Sequence, residues 1–337
     1  MNLEGKKILF LSANFFGYEK AIQKKLEELG AEVDFYNERP SNSLLSKGII
    51  RVKSALLQKR IDAYYSKILQ EIAVRKYDFF LLIKGETIPL FFLKKFNEFN
   101  PNATKIFYSY DAASEYPKFL KLYPYFDRNF TFEPADAIEY DLHFRPLFFL
   151  ENYGLKRENQ KLKFDLVFIG SAHTDRYIIG EEVRANAERL KLKTYFYYYA
   201  PGKTTFALKK IFDKNLKKFD ARKLSFKKLQ HSEIAAIYGN SFAVLDINKP
   251  YQKGLTMRTF EALASGKKLI TTNSDIKNYP FYSAENIEIL NREHSELSLH
   301  FFETSFKSID NAVLAKMTLE SWIECLFFKD QDDYWKT

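Results

Sequence analysis

The chain has 337 residues, a formal net charge of +9 and a sequence pI near 9.1. That length exceeds what one hydrophobic core readily fills, so two domains are expected, and 46% hydrophobic against 28% charged residues excludes intrinsic disorder. The single cysteine, Cys325, excludes an internal disulfide and a multi-thiolate zinc site, and no apolar run reaches the roughly 18 residues that crossing a bilayer requires.

The basic balance implies attraction to anions, whether nucleotide diphosphates, anionic lipids or nucleic acid, without choosing among them. Residues 1–7 lead directly into a strand-like run rather than a signal peptide, so a cytoplasmic chain is expected.

In chain order, residues 7–11 form a short apolar run that stops at Ser12-Ala13-Asn14, and residues 17–30 carry Ala21, Ile22, Leu26 and Leu29 at helical spacing. Strand, loop and helix are expected, with Gly30 as the helix stop. A second strand is expected at 32–36. Residues 44–73 then place Leu45, Ile49, Val52, Leu56, Tyr64, Ile68 and Ile72 along one helical face, with Lys47, Arg51, Lys53, Lys59 and Arg60 on another. Strands are expected again at 79–83, 105–109 and 128–132, with helical material between them. Such alternation predicts an α/β domain over residues 1–150, a parallel sheet covered on both faces.

A polar stretch at 151–163 reads as a linker, after which the pattern restarts. A strand at 164–169, a helix at 176–190 and strands at 194–199, 242–247 and 267–271 predict a second Rossmann-like domain over residues 164–308. Residues 311–328, with Val313, Leu314, Met317, Leu319, Trp322 and Leu326 at helical spacing, predict one terminal helix within 309–330 that packs back on the first domain.

Ligands of doubly wound sheets bind beyond the carboxyl ends of the strands, so the loops there hold the candidate residues. Residues 246–266 read as strand end, glycine-containing loop and helix closed by Gly266. A helix start near Thr256 presents unpaired N–H groups and the positive end of the dipole, which suit a diphosphate. Arg258 adds a charged fork, and Glu261, three residues on, offers a carboxylate able to accept both hydroxyls of a ribose. The same spacing also makes an ordinary solvated ion pair. After the strand at 164–169, Gly170-Ser171 permits close approach of a phosphate that His173 and Arg176 would contact; an ordinary loop histidine is the other reading of His173.

In the first domain Asp111 follows a strand, where it either deprotonates an acceptor hydroxyl or caps the next helix. Asn14, Phe15 and Gly17, with Lys84 and Glu86, lie at the same sheet edge and outline an acceptor pocket. The five histidines are scattered and no Asp-x-Asp follows a strand, so no metal site is expected.

The segment Gly254-Leu255-Thr256-Met257-Arg258-Thr259-Phe260-Glu261-Ala262, continuing to Asn273, resembles the donor-binding segment of group 1 glycosyltransferases, especially the CgeB-like branch and related polysaccharide-biosynthesis proteins. Weaker echoes at Tyr77-Asp78 to Lys84-Gly85, Tyr108-Ser109-Tyr110-Asp111, Thr131-Phe132-Glu133 and Phe168-Ile169-Gly170-Ser171-Ala172-His173 extend it over both domains. The resemblance implies the GT-B architecture, two Rossmann-like domains facing across a cleft, with the acceptor on the first and the nucleotide sugar on the second. It implies that Gly254, Leu255, Thr256, Arg258 and Thr259 hold the diphosphate, that Glu261 meets the ribose, and that protein cations replace a metal. Retaining members of the superfamily usually show two glutamates separated by seven residues; the earlier position here is Lys253, so retention is not implied.

The implied function is transfer of a sugar from a nucleotide sugar to a cell-surface glycan or lipid-linked acceptor, with no cofactor. A nucleotide-sugar epimerase on the same fold and a non-catalytic sugar-nucleotide binder remain alternatives. The lysines and arginines between 203 and 228, set beside Phe206, Phe212 and Phe219, read as a basic helix. With the helix at 44–73 they fit docking at an anionic membrane surface; no nucleic-acid fingerprint is present, and no nucleic-acid partner is expected.

Overall fold

Ile8, Leu9, Phe10 and Leu11 are fully buried, as are Phe80, Leu81, Leu82 and Ile83. Burial of consecutive residues is what a parallel strand covered by helices on both faces requires. The computed structural model describes residues 2–40, 58–154, 162–172, 175–212, 217, 219–329 and 332–335. The chain divides into two units, one made of Met1–Pro146 and Leu319–Lys336, the other of Leu147–Thr318.

The first unit runs β1 (Lys7–Ser12), α1 (Tyr18–Glu28), β2 (Glu32–Asn37), α2 (Gln58–Ile72), β3 (Phe79–Ile83), α3 (Leu90–Phe99), β4 (Thr104–Ser109), a 3-10 segment (Pro117–Tyr125), β5 (Arg128–Thr131), α4 (Pro134–Glu139) and β6 (His143–Phe144). Its strands are parallel in the order β2-β1-β3-β4-β5-β6. On one face Leu9, Leu11, Phe80, Leu82 and Phe107 pack with Ile61, Tyr65, Ile68 and Ile72 of α2 and Phe92 and Phe96 of α3. Alternate strand residues point to the other face, where the Tyr108 ring lies 4.8 Å from Trp322 and Phe79 lies 5.0 Å from Phe327.

Helix α1 ends as its sequence predicts, because Gly30 adopts φ +94° and turns the chain into β2. A Cβ there would stand 2.5 Å from Glu4 Oε2 and 2.9 Å from Glu4 Cα. Gly30→Ala is therefore expected to destabilise the first unit by at least about 1–2 kcal/mol, the backbone strain alone. Equilibrium denaturation checks this, and an unchanged midpoint would refute it.

The second unit begins with α5 (Glu151–Gly154) and continues β7 (Phe164–Ser171), α6 (Arg176–Arg189), β8 (Thr194–Tyr199), α7 (Lys203–Phe212), β9 (Leu224–Ser225), α8 (His231–Gly239), β10 (Ser241–Asp246), α9 (Met257–Ala264), β11 (Lys268–Thr271), β12 (Ile287–Ile289), α10 (Leu299–Glu303) and α11 (Asn311–Lys316). These strands are also parallel, ordered β12-β11-β10-β7-β8-β9. Leu166, Phe168, Ala243, Leu245 and Ile270 form the core with Ile179 and Val183 of α6 and with Phe206 and Phe219. Strand order reverses direction between β1 and β3 in the first unit and between β7 and β10 in the second. Those are the switch points where a doubly wound sheet opens a crevice for ligand.

The single terminal helix is not formed. The chain makes α11, breaks, and then makes α12 (Leu319–Glu324), which belongs to the first unit. The break lies where the Met317 carbonyl accepts the Phe149 N–H at 3.0 Å and the Thr318 hydroxyl donates back to Ala315 O at 2.8 Å, both diverting helical hydrogen bonds. Nor is the basic stretch at 203–228 one helix: α7 is followed by a 3-10 turn at Ala221–Lys223 and by β9. Of the helix expected at 44–73, Gln58–Ile72 is helical, and 44–57 lie outside the described residues, as do 155–161 of the linker.

Candidate functional site

At the switch point of the second unit the loops after β7, β10 and β12 converge through side chains. Asp246, the last residue of β10 and 1% exposed, is the centre. Its Oδ1 is paired with the Arg258 guanidinium, and its Oδ2 accepts the Thr256 hydroxyl at 2.8 Å and the Thr259 hydroxyl at 3.3 Å. Arg258 also donates from Nε to Ile169 O at 3.0 Å and lies over the Phe168 ring, 5.7 Å from its centroid. Burial works against the Arg258 charge, but Asp246 outweighs it and holds its pKa above the usual arginine value.

Arg258 thus reaches inward to a buried aspartate rather than forming a solvated pair with Glu261. The Thr256 hydroxyl, donated to Asp246, is not spent on capping α9, whose first turn has no acidic residue.

Arg176, also buried, donates from Nε to Ile247 O at 2.7 Å. Burial, and after it the neighbouring Arg258, push its pKa down to about 10. Arg292, just past β12, completes the group. Its guanidinium bonds Asp175 Oδ2 at 2.5 Å, Asn248 O and Oδ1 at 2.7 Å each, and Thr272 Oγ at 3.3 Å. Three guanidinium groups and two carboxylates therefore meet at one sheet end.

The intervening loop is braced: Gly254 O accepts from Gln252 Nε2 at 2.7 Å and from Asn273 Nδ2 at 3.3 Å, and Leu255 is buried. Gly170 and Ser171 end β7. A Cβ at Gly170 would meet the Phe168 ring at 2.6 Å, so packing of the ring beneath Arg258 requires a glycine there. His173 lies outside the described residues.

Glu261 is buried, 4% exposed. Its Oε1 lies 4.0 Å from His231 Nδ1, which in turn lies 3.0 Å from the Tyr153 hydroxyl. Burial, reinforced by Glu261, holds the Tyr153 pKa far above the usual phenol range.

In the first unit, the switch-point loops carry a second cluster. Lys84, in a left-handed conformation with φ 87°, bonds Glu86 Oε1 at 3.1 Å and Asp111 Oδ2 at 3.0 Å. The other Glu86 oxygen accepts Arg39 Nε at 2.8 Å. Strain of this kind at a buried charge is retained only where the surroundings impose it. In the following turn the Ala113 N–H donates to Asp136 Oδ2 at 2.7 Å, and the Asp111 carboxylate meets Lys84. Phe15 stacks on Tyr18 with ring centroids 6.0 Å apart, and Asn14 is exposed. The Phe15 and Gly17 N–H groups both donate to Glu19 Oε2, at 3.0 and 3.1 Å, so this helix start is already met by a carboxylate of the chain.

Glu38, fully buried, accepts the Glu86 N–H at 3.0 Å, and burial followed by the charge of Glu86 raises its pKa to about 8. Its folded value exceeds the unfolded value of roughly 4.3, so the folded chain binds the extra proton and stability falls as pH rises through that window. Glu38→Gln, a neutral mimic of the protonated acid, is expected to flatten the decline in thermal midpoint between pH 5.5 and 8.5. A parallel decline in variant and parent would refute this origin.

Asp175, Asn248, Arg292, Tyr153, His231, Glu38 and Arg39 are contributions that pattern reading misses. Arg292 follows a three-residue strand, too short to show periodicity, and Tyr153 sits in what reads as linker. Among the described residues no group of three or more histidine, cysteine or carboxylate side chains is placed to hold a metal ion, and no helix is long and apolar enough to cross a membrane.

The sequence matches no family model and no curated protein. Solved structures share its fold. The catalytic domain of starch synthase IV from Arabidopsis thaliana, bound to ADP and acarbose, has a TM-score of 0.55 at 10% identity, covering 97% of this chain and 100% of that one. An alpha-glucosyltransferase in complex with UDP and a 13-mer DNA has a TM-score of 0.53 at 12% identity, over 97% and 96% of the two chains. UDP-GlcNAc 2-epimerase from Methanocaldococcus jannaschii has a TM-score of 0.51 at 11% identity, over 96% and 99%. The chain has the GT-B fold, with its two Rossmann-like parallel sheets.

Proposed function

We propose that this chain is a glycosyltransferase that takes a sugar from a nucleoside diphosphate and passes it to a cell-surface glycan or lipid-linked acceptor. The observation that carries this is the meeting of Arg176, Arg258 and Arg292 with two aspartates at the second unit's switch point, beside a helix start without a side-chain cap. A diphosphate supplies the negative charge such a group favours. The first unit's corresponding helix start is taken by Glu19, which supports assigning the donor to the second unit and the acceptor to the first. The residues from Gly254 to Asn273 support a place near the CgeB-like branch.

The arginines supply the charge that a divalent cation would otherwise bring, so transfer is proposed to need no metal. In the basic stretch Arg222, Lys223 and Lys227 are paired with Asp220, Glu181 and Glu233. Any docking of that surface on an anionic membrane or nucleic acid is correspondingly weak, which favours a glycan acceptor over DNA.

Incubation with a panel of radiolabelled nucleotide sugars and lipid or glycan acceptors tests the proposal. Label is expected in the acceptor, undiminished by EDTA. Interconversion of the donor without transfer would identify an epimerase, the reading favoured by the fold shared with UDP-GlcNAc 2-epimerase, and binding without turnover would identify a sugar-nucleotide binder. Loss of transfer in EDTA would refute metal independence.

A further inference from the structure

The loop from β1 into α1 turns one ring outward. Phe16 is 41% exposed and holds φ at 56°, a left-handed conformation that strains a bulky residue and persists only where its surroundings impose it. Here they do. The N–H groups of Phe15 and Gly17, on either side, donate to Glu19 Oε2 at 3.0 and 3.1 Å, and the Phe15 carbonyl accepts the Tyr18 N–H at 3.1 Å. With so much of the ring in solvent, internal packing does not account for a phenylalanine at a position that suits glycine or asparagine.

A short chain of contacts links this ring to Asp111. Phe16 is set edge-on to Phe15 with centroids 5.2 Å apart, and Lys84 Nζ lies 5.9 Å from the Phe15 centroid. Lys84 in turn meets Asp111 Oδ2 at 3.0 Å and Glu86 Oε1 at 3.1 Å. An apolar face thus borders a group of polar side chains. A pyranose has the matching form, a face of C–H bonds rimmed by hydroxyls, and the electron-rich face of an aromatic ring favours such C–H bonds. A phosphate fits this place poorly. Lys84 is engaged by Glu86 and Asp111, and Arg39 by Glu86, so an anion would have to displace a carboxylate and leave it buried without its cation.

We propose that Phe16 is the stacking platform of the acceptor site, and that the acceptor's reacting end is a neutral sugar ring rather than the phosphate of a lipid carrier. This rests on the proposed transfer, with the acceptor on the first unit.

Saturation-transfer NMR on the full chain, with the methyl glycosides of glucose, galactose, mannose and N-acetylglucosamine and with citronellyl phosphate as a competitor, tests it. At least one glycoside is expected to bind with saturation on its ring C–H protons, and citronellyl phosphate not to displace it. Phe16→Asn, whose side chain accepts the left-handed backbone, is expected to weaken that glycoside about tenfold, the worth of covering the exposed part of one ring. It should denature no more readily than the parent, and Phe16→Tyr, which keeps a ring face, should retain the affinity. No binding by any glycoside, equal affinity in Phe16→Asn, or displacement by citronellyl phosphate would overturn the proposal. Calorimetry with UDP, ADP and GDP on the same proteins keeps the two readings apart. A nucleotide that binds parent and Phe16→Asn alike while the glycoside test fails leaves the transferase reading standing without the platform. A glycoside lost in Phe16→Asn from a chain that binds no nucleotide leaves a sugar site without the transferase.

Discussion

Replacing Arg258 by alanine is expected to destabilise the second unit by about 3–5 kcal/mol and to abolish measurable nucleotide binding. The size follows from what the change leaves behind. Asp246 is 1% exposed, and without the guanidinium its charge stays buried with only two hydroxyl donors, Thr256 and Thr259. Removing one member of a buried ion pair costs that much because the other stays desolvated. Had Arg258 been a solvated partner of Glu261, the loss would stay within about 1 kcal/mol. The Ile169 carbonyl loses its donor as well, and with it the link between the ends of β7 and β10.

Arg258→Lys keeps the charge but not the fork that spans Asp246 and Ile169 O, so an intermediate loss is expected. Chemical denaturation with a parallel nucleotide titration reads both effects; a destabilisation below 1 kcal/mol with unchanged nucleotide affinity would remove Arg258 from the site.

Asp111→Asn is expected to lower kcat by roughly 100- to 10,000-fold, the range a general base contributes, with donor affinity unchanged. The base assignment concerns a reaction that inverts configuration, since Lys253 occupies the position of the first glutamate of the retaining pair. The contacts that motivate the base role are these: Asp136 holds the Ala113 N–H, and the Asp111 carboxylate meets the ammonium of the strained Lys84. Asparagine keeps an oxygen for Lys84 and nearly the same volume, so the fold should survive. Turnover at the parental rate would return Asp111 to a structural role within the Lys84–Glu86–Arg39 network.

The strands that build both sheets were legible because each is a short apolar run with a polar end; the expected 79–83 and 194–199 coincide with β3 and β8. Pairs of two or three residues, β6, β9 and β12, carry no readable period, and with β12 unseen the loop holding Arg292 had no address. The donor segment was legible as a motif, but not the direction of its side chains: of Arg258 and Glu261, three residues apart, the first reaches the end of β10 and the second lies by His231 of α8. Helical spacing states which residues are neighbours on the surface, whereas burial of Asp246 decides where the arginine turns. The terminal helix shows the reverse failure, its apolar spacing continuing through Met317 and Thr318 although the Phe149 amide takes the carbonyl that a helix needs.

In the proposed function the arginines of the second unit hold a diphosphate. Calorimetric titration of the parent chain with UDP, ADP and GDP and with the matching monophosphates tests it most directly. At least one diphosphate is expected to bind, and its monophosphate to bind at least tenfold more weakly, the loss of a charge-assisted contact. Equal affinity for a monophosphate and its diphosphate, or no binding by any of them, would contradict a diphosphate-holding role for these arginines.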